Sequence, residues 1–208
     1  MCGRFSLNAL PEDIAKEFEL GTPPRLAPRY NIAPTQPVLA IREDNGGIRE
    51  AVLLTWGLLP RWMKEPPPRP MINARAETVM EKPSFRGPFR SSRCLIPATG
   101  YYEWHKEGGK NQAYHITVDN GGLFAMAGLW EYWMSPDGSE AETCTILTIE
   151  SAGKVAEIHH RMPVILPQET YSAWLSPTGA SQKERLSMLR PFDDQRLSYH
   201  PVDSPRGV

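Results

Sequence analysis

The sequence predicts one α+β domain, residues 1–208, with a curved, mainly antiparallel sheet, a barrel-like core and peripheral helices. Three observations lead there. A length of 208 residues suits a single core. Seven runs with strand character follow one another between residues 38 and 149, while helical patterns are confined to one stretch near the start and three near the end. The chain also carries 21 prolines and 16 glycines. That proline content is roughly twice the usual share and argues against a helix bundle, because proline breaks helix interiors and glycine weakens them.

Taken in order, Pro11 to Leu20 reads as a short helix. Pro11 suits the first turn, Glu12 and Asp13 favour its positive end, Ile14 and Phe18 share a face, and Gly21 ends it. Thr22 to Pro37 is proline-rich and is expected to be irregular. Val38 to Arg42 and Ile48 to Trp56 read as strands joined by an Asn45-Gly46-Gly47 turn. Glu65 to Pro70 holds four prolines and reads as an exposed loop. Cys94 to Pro97, Tyr101 to Lys106, Ala113 to Val118, Leu123 to Trp130 and Thr143 to Ile149 are further strands. Ala152 to Ile158, Pro167 to Leu175 and Ser181 to Leu189 read as helices. There is no internal repeat.

No run of 18 apolar residues is present, so no membrane span is expected. The first residues lack the apolar stretch of a signal peptide. Three cysteines, Cys2, Cys94 and Cys144, form no C-x-x-C pair, which points away from a disulfide framework or zinc knuckle and towards a reducing cytoplasm. The formal net charge of −1 excludes global attraction to nucleic acid. It hides a local asymmetry: residues 61–93 hold eight basic and three acidic residues, a balance of +5, interleaved with Trp56, Trp62, Phe85 and Phe89. Basic side chains among rings are the composition of a single-strand platform, in which cations hold phosphates and rings stack on bases. The same composition also describes a solvated face beside core aromatics.

Cys2 is the most informative residue. Methionine aminopeptidase generally removes Met1 ahead of a small residue, which would leave Cys2 with a free α-amine beside its thiol. An amine titrating near 7.7–8.0 and a thiol near 8.5 both keep nucleophilic fractions at neutral pH. A 1,2-aminothiol has a distinctive partner in the aldehyde: the amine condenses to a Schiff base and the sulfur closes a five-membered thiazolidine on the same carbon.

Nine blocks carry a resemblance. They are Met1-Cys2-Gly3-Arg4-Phe5, Tyr30-Asn31-Ile32-Ala33-Pro34-Thr35, Trp56-Gly57-Leu58-Leu59-Pro60, Asn73-Ala74-Arg75-Ala76-Glu77-Thr78, Phe85-Arg86, Arg93-Cys94-Leu95-Ile96-Pro97-Ala98, Gly100-Tyr101-Tyr102-Glu103-Trp104, Ala127-Gly128-Leu129-Trp130 and His159-His160-Arg161-Met162-Pro163. In this order they resemble the SOS-response-associated peptidase (SRAP) family of abasic-site-processing proteins. The resemblance implies a sheet-rich domain with a groove for single-stranded DNA and a covalent bond to abasic sites through the N-terminal cysteine, which shields the lesion in the DNA damage response. An opened abasic deoxyribose supplies the aldehyde that the aminothiol requires.

The remaining roles follow from that resemblance. Glu103, set among large rings where a carboxylate tends to hold its proton, would move protons during ring closure and assist Met1 removal. His159, matching the pattern His-x-Arg-Met-Pro, would protonate the sugar ring oxygen. Asn73, which bare sequence reads as a turn residue, would orient the α-amine or the opened sugar. Arg4, Arg75, Arg86 and Arg161 are candidates for phosphates, although any of them could instead form an ion pair with, for example, Glu77. Thr148 matches a polar site position, and Pro34 and Trp62 could wedge or stack against bases. Cys94 and Cys144 read as buried, inert thiols. The implied partner is single-stranded DNA with abasic sites, bound by a monomer with no cofactor or metal. Strand-cleaving lyase chemistry could compete from the Schiff base. Two other readings stay open: a cysteine peptidase, self-processing or acting in trans, and a non-covalent single-strand binder. Relatives often end in V-x-x-x-V followed by polar residues, whereas this chain stops at Val208.

Overall fold

The structure, a computed structural model, describes residues 2–44 and 46–203. Among the described residues there are thirteen strands and five α-helices. They are β1 (Arg4–Leu7), α1 (Pro11–Glu17), β2 (Arg29–Ile32), β3 (Pro37–Glu43), β4 (Arg49–Trp56), β5 (Asn73–Arg75), α2 (Pro83–Ser91), β6 (Arg93–Ala98), β7 (Gly100–Glu107), β8 (Lys110–Val118) and β9 (Phe124–Met134). After these come β10 (Glu140–Glu150), α3 (Val155–Ile158), β11 (Arg161–Pro163), β12 (Ile165–Leu166), α4 (Tyr171–Leu175), α5 (Gln182–Met188) and β13 (Leu197–Val202).

Five strands close on themselves. β4 pairs with β3, β3 with β6, β6 with β9, β9 with β10, and β10 returns to β4, so the sheet becomes a barrel without free edges along that circuit. Among the described residues, only the contacts of β10 with β4 and with β5 are parallel. A second sheet, wholly antiparallel, runs in the order β13-β8-β7-β1-β2. One apolar cluster fills the space within and between the sheets and includes Phe5, Ile41, Trp56, Leu95, Tyr101, Met126 and Leu147. The edge of Phe5 meets Trp56 at 5.2 Å between ring centres. Packing is tight where β6 crosses β9: a methyl added at Gly128 would sit 2.8 Å from the Cys94 sulfur and 2.9 Å from Ile96 Cγ1.

The expected α+β class and curved, mainly antiparallel sheet are therefore present. The helix at Pro11 forms, with Pro11 in its first turn and Ile14 and Phe18 buried. The β3–β4 hairpin forms as expected, although Asn45 of its turn lies outside the described residues. Several expectations differ: β1, β5, β11, β12 and β13 lie outside the runs expected to be strands. The stretch expected to be irregular contains β2, which adds to β1. The segment around Phe85 folds as α2 despite Pro83, Gly87 and Pro88, because Pro83 occupies the first turn, where a missing N–H costs nothing. The far end of α2 is capped by the buried Arg93 guanidinium, which donates to the carbonyls of Phe89 at 2.9 Å and Arg90 at 2.5 Å, and which also ties α2 to Trp174 of α4 at 2.6 Å. The platform of four interleaved rings is also reduced: Trp56 and Phe89 are fully buried, and Trp62 alone of the four is largely exposed, at 60%.

Candidate active site

Cys2 lies just ahead of β1, on the second sheet, and Asn73 opens β5, on the barrel. The side-chain amide of Asn73 donates to the Cys2 carbonyl oxygen at 2.9 Å and so joins the two sheets at the reactive residue. β5 is placed for this by its parallel register with β10, which sets Asn73 opposite Ile146. The other end of the same amide, Asn73 Oδ1, is buried and has no hydrogen-bond partner among the described residues.

Along β7 burial alternates with the strand period. Tyr101 and Glu103 point inward and are buried, while Tyr102 and Trp104 are half-exposed. The inward pair faces Cys2, whose sulfur is wholly buried and lies 4.0 Å from the Arg4 carbonyl oxygen. Burial, and then the charge of Glu103, push the Cys2 thiol far above its ordinary range. The same burial, with Cys2 and Glu103 adding to it, raises the Tyr101 phenol. This is a low-dielectric pocket in which a carboxylate, a thiol and a phenol share little solvent.

His159 follows α3 and faces Glu103, with Nδ1 3.9 Å from Glu103 Oε1. Its Nδ1 accepts the Arg161 backbone N–H at 3.0 Å and stands 3.1 Å from the Arg161 carbonyl oxygen. A neutral ring thus accepts from the N–H with its proton on Nε2, and a protonated ring can donate to the carbonyl. Burial above all lowers the His159 pKa to about 4, with the charges of His160 and Arg161 adding to the effect. The ring stacks on His160 at 4.5 Å. A cavity of about 600 Å³ opens beside this pair, and its lining includes Glu103, Trp104, Lys106, His159 and His160.

The remaining candidates fall into two groups. Arg75 closes β5 with an exposed side chain, next to the segment that holds Cys2. Thr148 is fully buried, and Arg161 is 7% exposed. The Arg161 guanidinium grips the Glu77 carboxylate at 2.7 and 2.9 Å and the Thr148 carbonyl at 2.6 Å. Arg4 donates to Asn31 Oδ1 at 2.7 Å. Pro34, half-buried after β2, Trp62 and the exposed Arg86 of α2 stand outside the contacts that join Cys2, Asn73, Glu103 and His159. Trp62 is flanked by two anchors: Arg61 bonds to the buried Glu131 at 2.6 Å, and the Trp133 indole donates to the Met63 carbonyl at 2.7 Å.

Two site neighbours were not singled out from sequence. Tyr101 sits two residues before Glu103, and strand periodicity alone places it on the same face. Glu77 was recognisable only as a nearby carboxylate. Among the described residues, no group of three or more His, Cys, Asp or Glu side chains is arranged to hold a metal ion.

Comparison with known proteins identifies the family. The family model described as "SOS response associated peptidase (SRAP)" matches residues 1–205. The chain is 41% identical to abasic site processing protein YoqW of Bacillus subtilis, over 98% of this chain and 93% of that protein. It is 33% identical to abasic site processing protein HMCES of Gallus gallus, over 86% of this chain and 62% of that protein. A crystal structure of a Bacteroides thetaiotaomicron protein superposes with a TM-score of 0.86 at 30% identity, covering 98% of this chain and 96% of the other. The chain therefore belongs to the SOS response associated peptidase (SRAP) family.

Proposed function

We propose that this protein processes abasic sites in single-stranded DNA by forming a thiazolidine crosslink through Cys2, and that the crosslink shields the lesion. The observation that carries the reading is the convergence on Cys2 of Asn73 from one sheet and of Glu103 from the other, with His159 facing Glu103. With Met1 removed, the Cys2 amine adds to C1′ of the opened sugar and the resulting carbinolamine loses water to give a Schiff base. The sulfur then adds to the same carbon, its proton ends on the ring nitrogen, and one water leaves overall. Glu103 takes the proton of the anomeric hydroxyl as the ring opens and passes it to His159, which is neutral beforehand and delivers it to the sugar oxygen. Asn73 holds the Cys2 carbonyl, and its open Oδ1 is suited to the amine N–H.

In this reading Arg4, Arg75 and Arg86 engage phosphates, Trp62 and Pro34 contact bases, and Thr148 and Arg161 support the site from beneath. β-Elimination from the Schiff base is a competing outlet that cleaves the strand. A peptidase acting in trans is the rival use of Cys2, Glu103 and His159; in the crosslinking reading, peptidase chemistry is confined to release of Met1. A non-covalent binder would use the same exposed cations and Trp62 without needing Cys2. Incubation with abasic single-stranded DNA followed by denaturing electrophoresis separates the readings. The crosslinking reading requires a retained adduct that disappears in Cys2→Ala, and it fails if no adduct survives denaturation.

A further inference from the structure

Glu77 lies in the helical turn of Ala76–Thr78 directly after β5, the strand that begins with Asn73. Both its carboxylate oxygens are used. Oε1 accepts from Arg161 Nη1 at 2.7 Å and from the Glu150 backbone N–H at 3.2 Å, and Oε2 accepts from Arg161 Nη2 at 2.9 Å. A surface ion pair is ordinarily worth little, but this one is bidentate and joins an Arg161 side chain only 9% exposed to a Glu77 side chain 44% exposed, which sets it apart from a fully exposed pair. Arg161 in turn presents the backbone N–H and carbonyl that address His159 Nδ1. A continuous path therefore runs from Cys2 to Asn73, along β5 to Glu77, across to Arg161 and on to His159.

We propose that Glu77 is a positioning residue for the Cys2 reaction: by clamping Arg161 it sets the His159 segment at a fixed distance from the Asn73 segment. The proposal rests on the crosslinking reading for its kinetic consequence, but its geometric content stands on its own. The carboxylate has no role as a proton carrier here, because the Arg161 hydrogen bonds hold it ionised, with a pKa of about 2. The clamp also occupies the Arg161 fork, so phosphate contact by Arg161 would require Glu77 to let go.

The test compares wild type, Glu77→Ala and Glu77→Gln, each with Met1 removed. The first readout is a kinetic split between the first-order crosslinking rate at saturating abasic DNA and the affinity for the same strand without a lesion. Misplacement of reacting groups costs rate steeply, so Glu77→Ala is expected to slow crosslinking by about tenfold or more while leaving affinity within about twofold. Glu77→Gln keeps one acceptor and is expected to lie between the two. The second readout is the nitrogen NMR signature of the His159 ring, which needs no DNA. Wild type should show Nδ1 accepting and the proton on Nε2, whereas Glu77→Ala should show a mixture of tautomers. A folded Glu77→Ala protein with unchanged crosslinking rate and unchanged His159 nitrogen shifts would overturn the proposal. If Glu77→Ala does not fold, the same two readouts on Glu77→Gln decide. If wild type forms no adduct, the crosslinking reading fails, and the His159 shifts still decide whether Glu77 positions the ring.

Discussion

The Asn73 amide and the Cys2 carbonyl, 2.9 Å apart, form the hydrogen bond that fixes the N-terminal residue against the barrel. This bond holds the backbone of the nucleophile rather than its sulfur, so it governs where the α-amine points. Replacing Asn73 with Ala or Asp removes the donor. Both variants should crosslink abasic DNA about 10- to 100-fold more slowly. Asp should be no better than Ala, because a carboxylate cannot donate to a carbonyl. Rapid-quench measurement of adduct formation checks this, and an Asp variant at wild-type rate would show that the bond is not what matters.

Protonation of His159 should weaken the fold. Its pKa falls from 6.5 to about 4 in the native state, so between those values the unfolded chain binds more protons than the folded one. Native stability is therefore lost as pH drops from about 6.5 to about 4, and no further loss from this group occurs below that. Denaturant titrations at pH 7 and pH 5 should show a smaller loss for His159→Gln than for wild type. Glu77 acts in a lower window: its depressed pKa makes its contribution fully present above its ordinary value of 4.5 and lost towards about 2. Glu77→Gln should flatten stability only in that range.

Trp62 should matter for binding and not for chemistry. Its ring is 60% exposed, and its neighbours Arg61 and Met63 are tied to Glu131 and Trp133. Trp62→Ala should weaken binding to lesion-free single-stranded DNA by about 1–3 kcal/mol, the usual worth of a stacked base. Glu131→Ala should weaken binding less, since Trp133 still holds Met63. Fluorescence anisotropy measures both, and undiminished affinity in Trp62→Ala would remove the ring from the binding surface.

The seam between β6 and β9 is close-packed. Gly128→Ala would press a methyl onto the Cys94 sulfur and Ile96 Cγ1, and overpacking of this kind costs about 1–3 kcal/mol. A urea midpoint lower by the corresponding amount is expected, and an unchanged midpoint would mean that the seam yields freely.

Much of this was legible in the chain because burial on one face of a strand leaves an alternating mark. β7 declares itself in that way, whereas β6, buried throughout, and the buried stretches of β9 and β10 show as continuous apolar runs, and Pro11 with Glu12 and Asp13 marks α1. β2 was hidden by the prolines around it, and α2 by Pro83, Gly87 and Pro88; position removes the cost of Pro83, and the Arg93 cap stabilises the far end of a helix that still carries Pro88 within it. Cys2 was legible as chemistry because an aminothiol has few partners. Asn73 and Glu77 were not legible as a unit, because a three-residue strand has too few residues to show a period and its pairing with β10 joins segments 73 residues apart in sequence. The buried state of Trp56 and Phe89, as against exposed Trp62, was likewise decided by tertiary packing alone.

The central claim is that Cys2, once Met1 is gone, closes a thiazolidine with an abasic aldehyde. Intact-mass spectrometry of the Met1-free protein after incubation with an abasic oligonucleotide, under denaturing conditions, tests it most directly. The account predicts a species whose mass is the sum of protein and DNA less one water, absent in Cys2→Ala and absent when Met1 is retained. Only the free masses with wild type, or an equal yield of that species from Cys2→Ala, would contradict it.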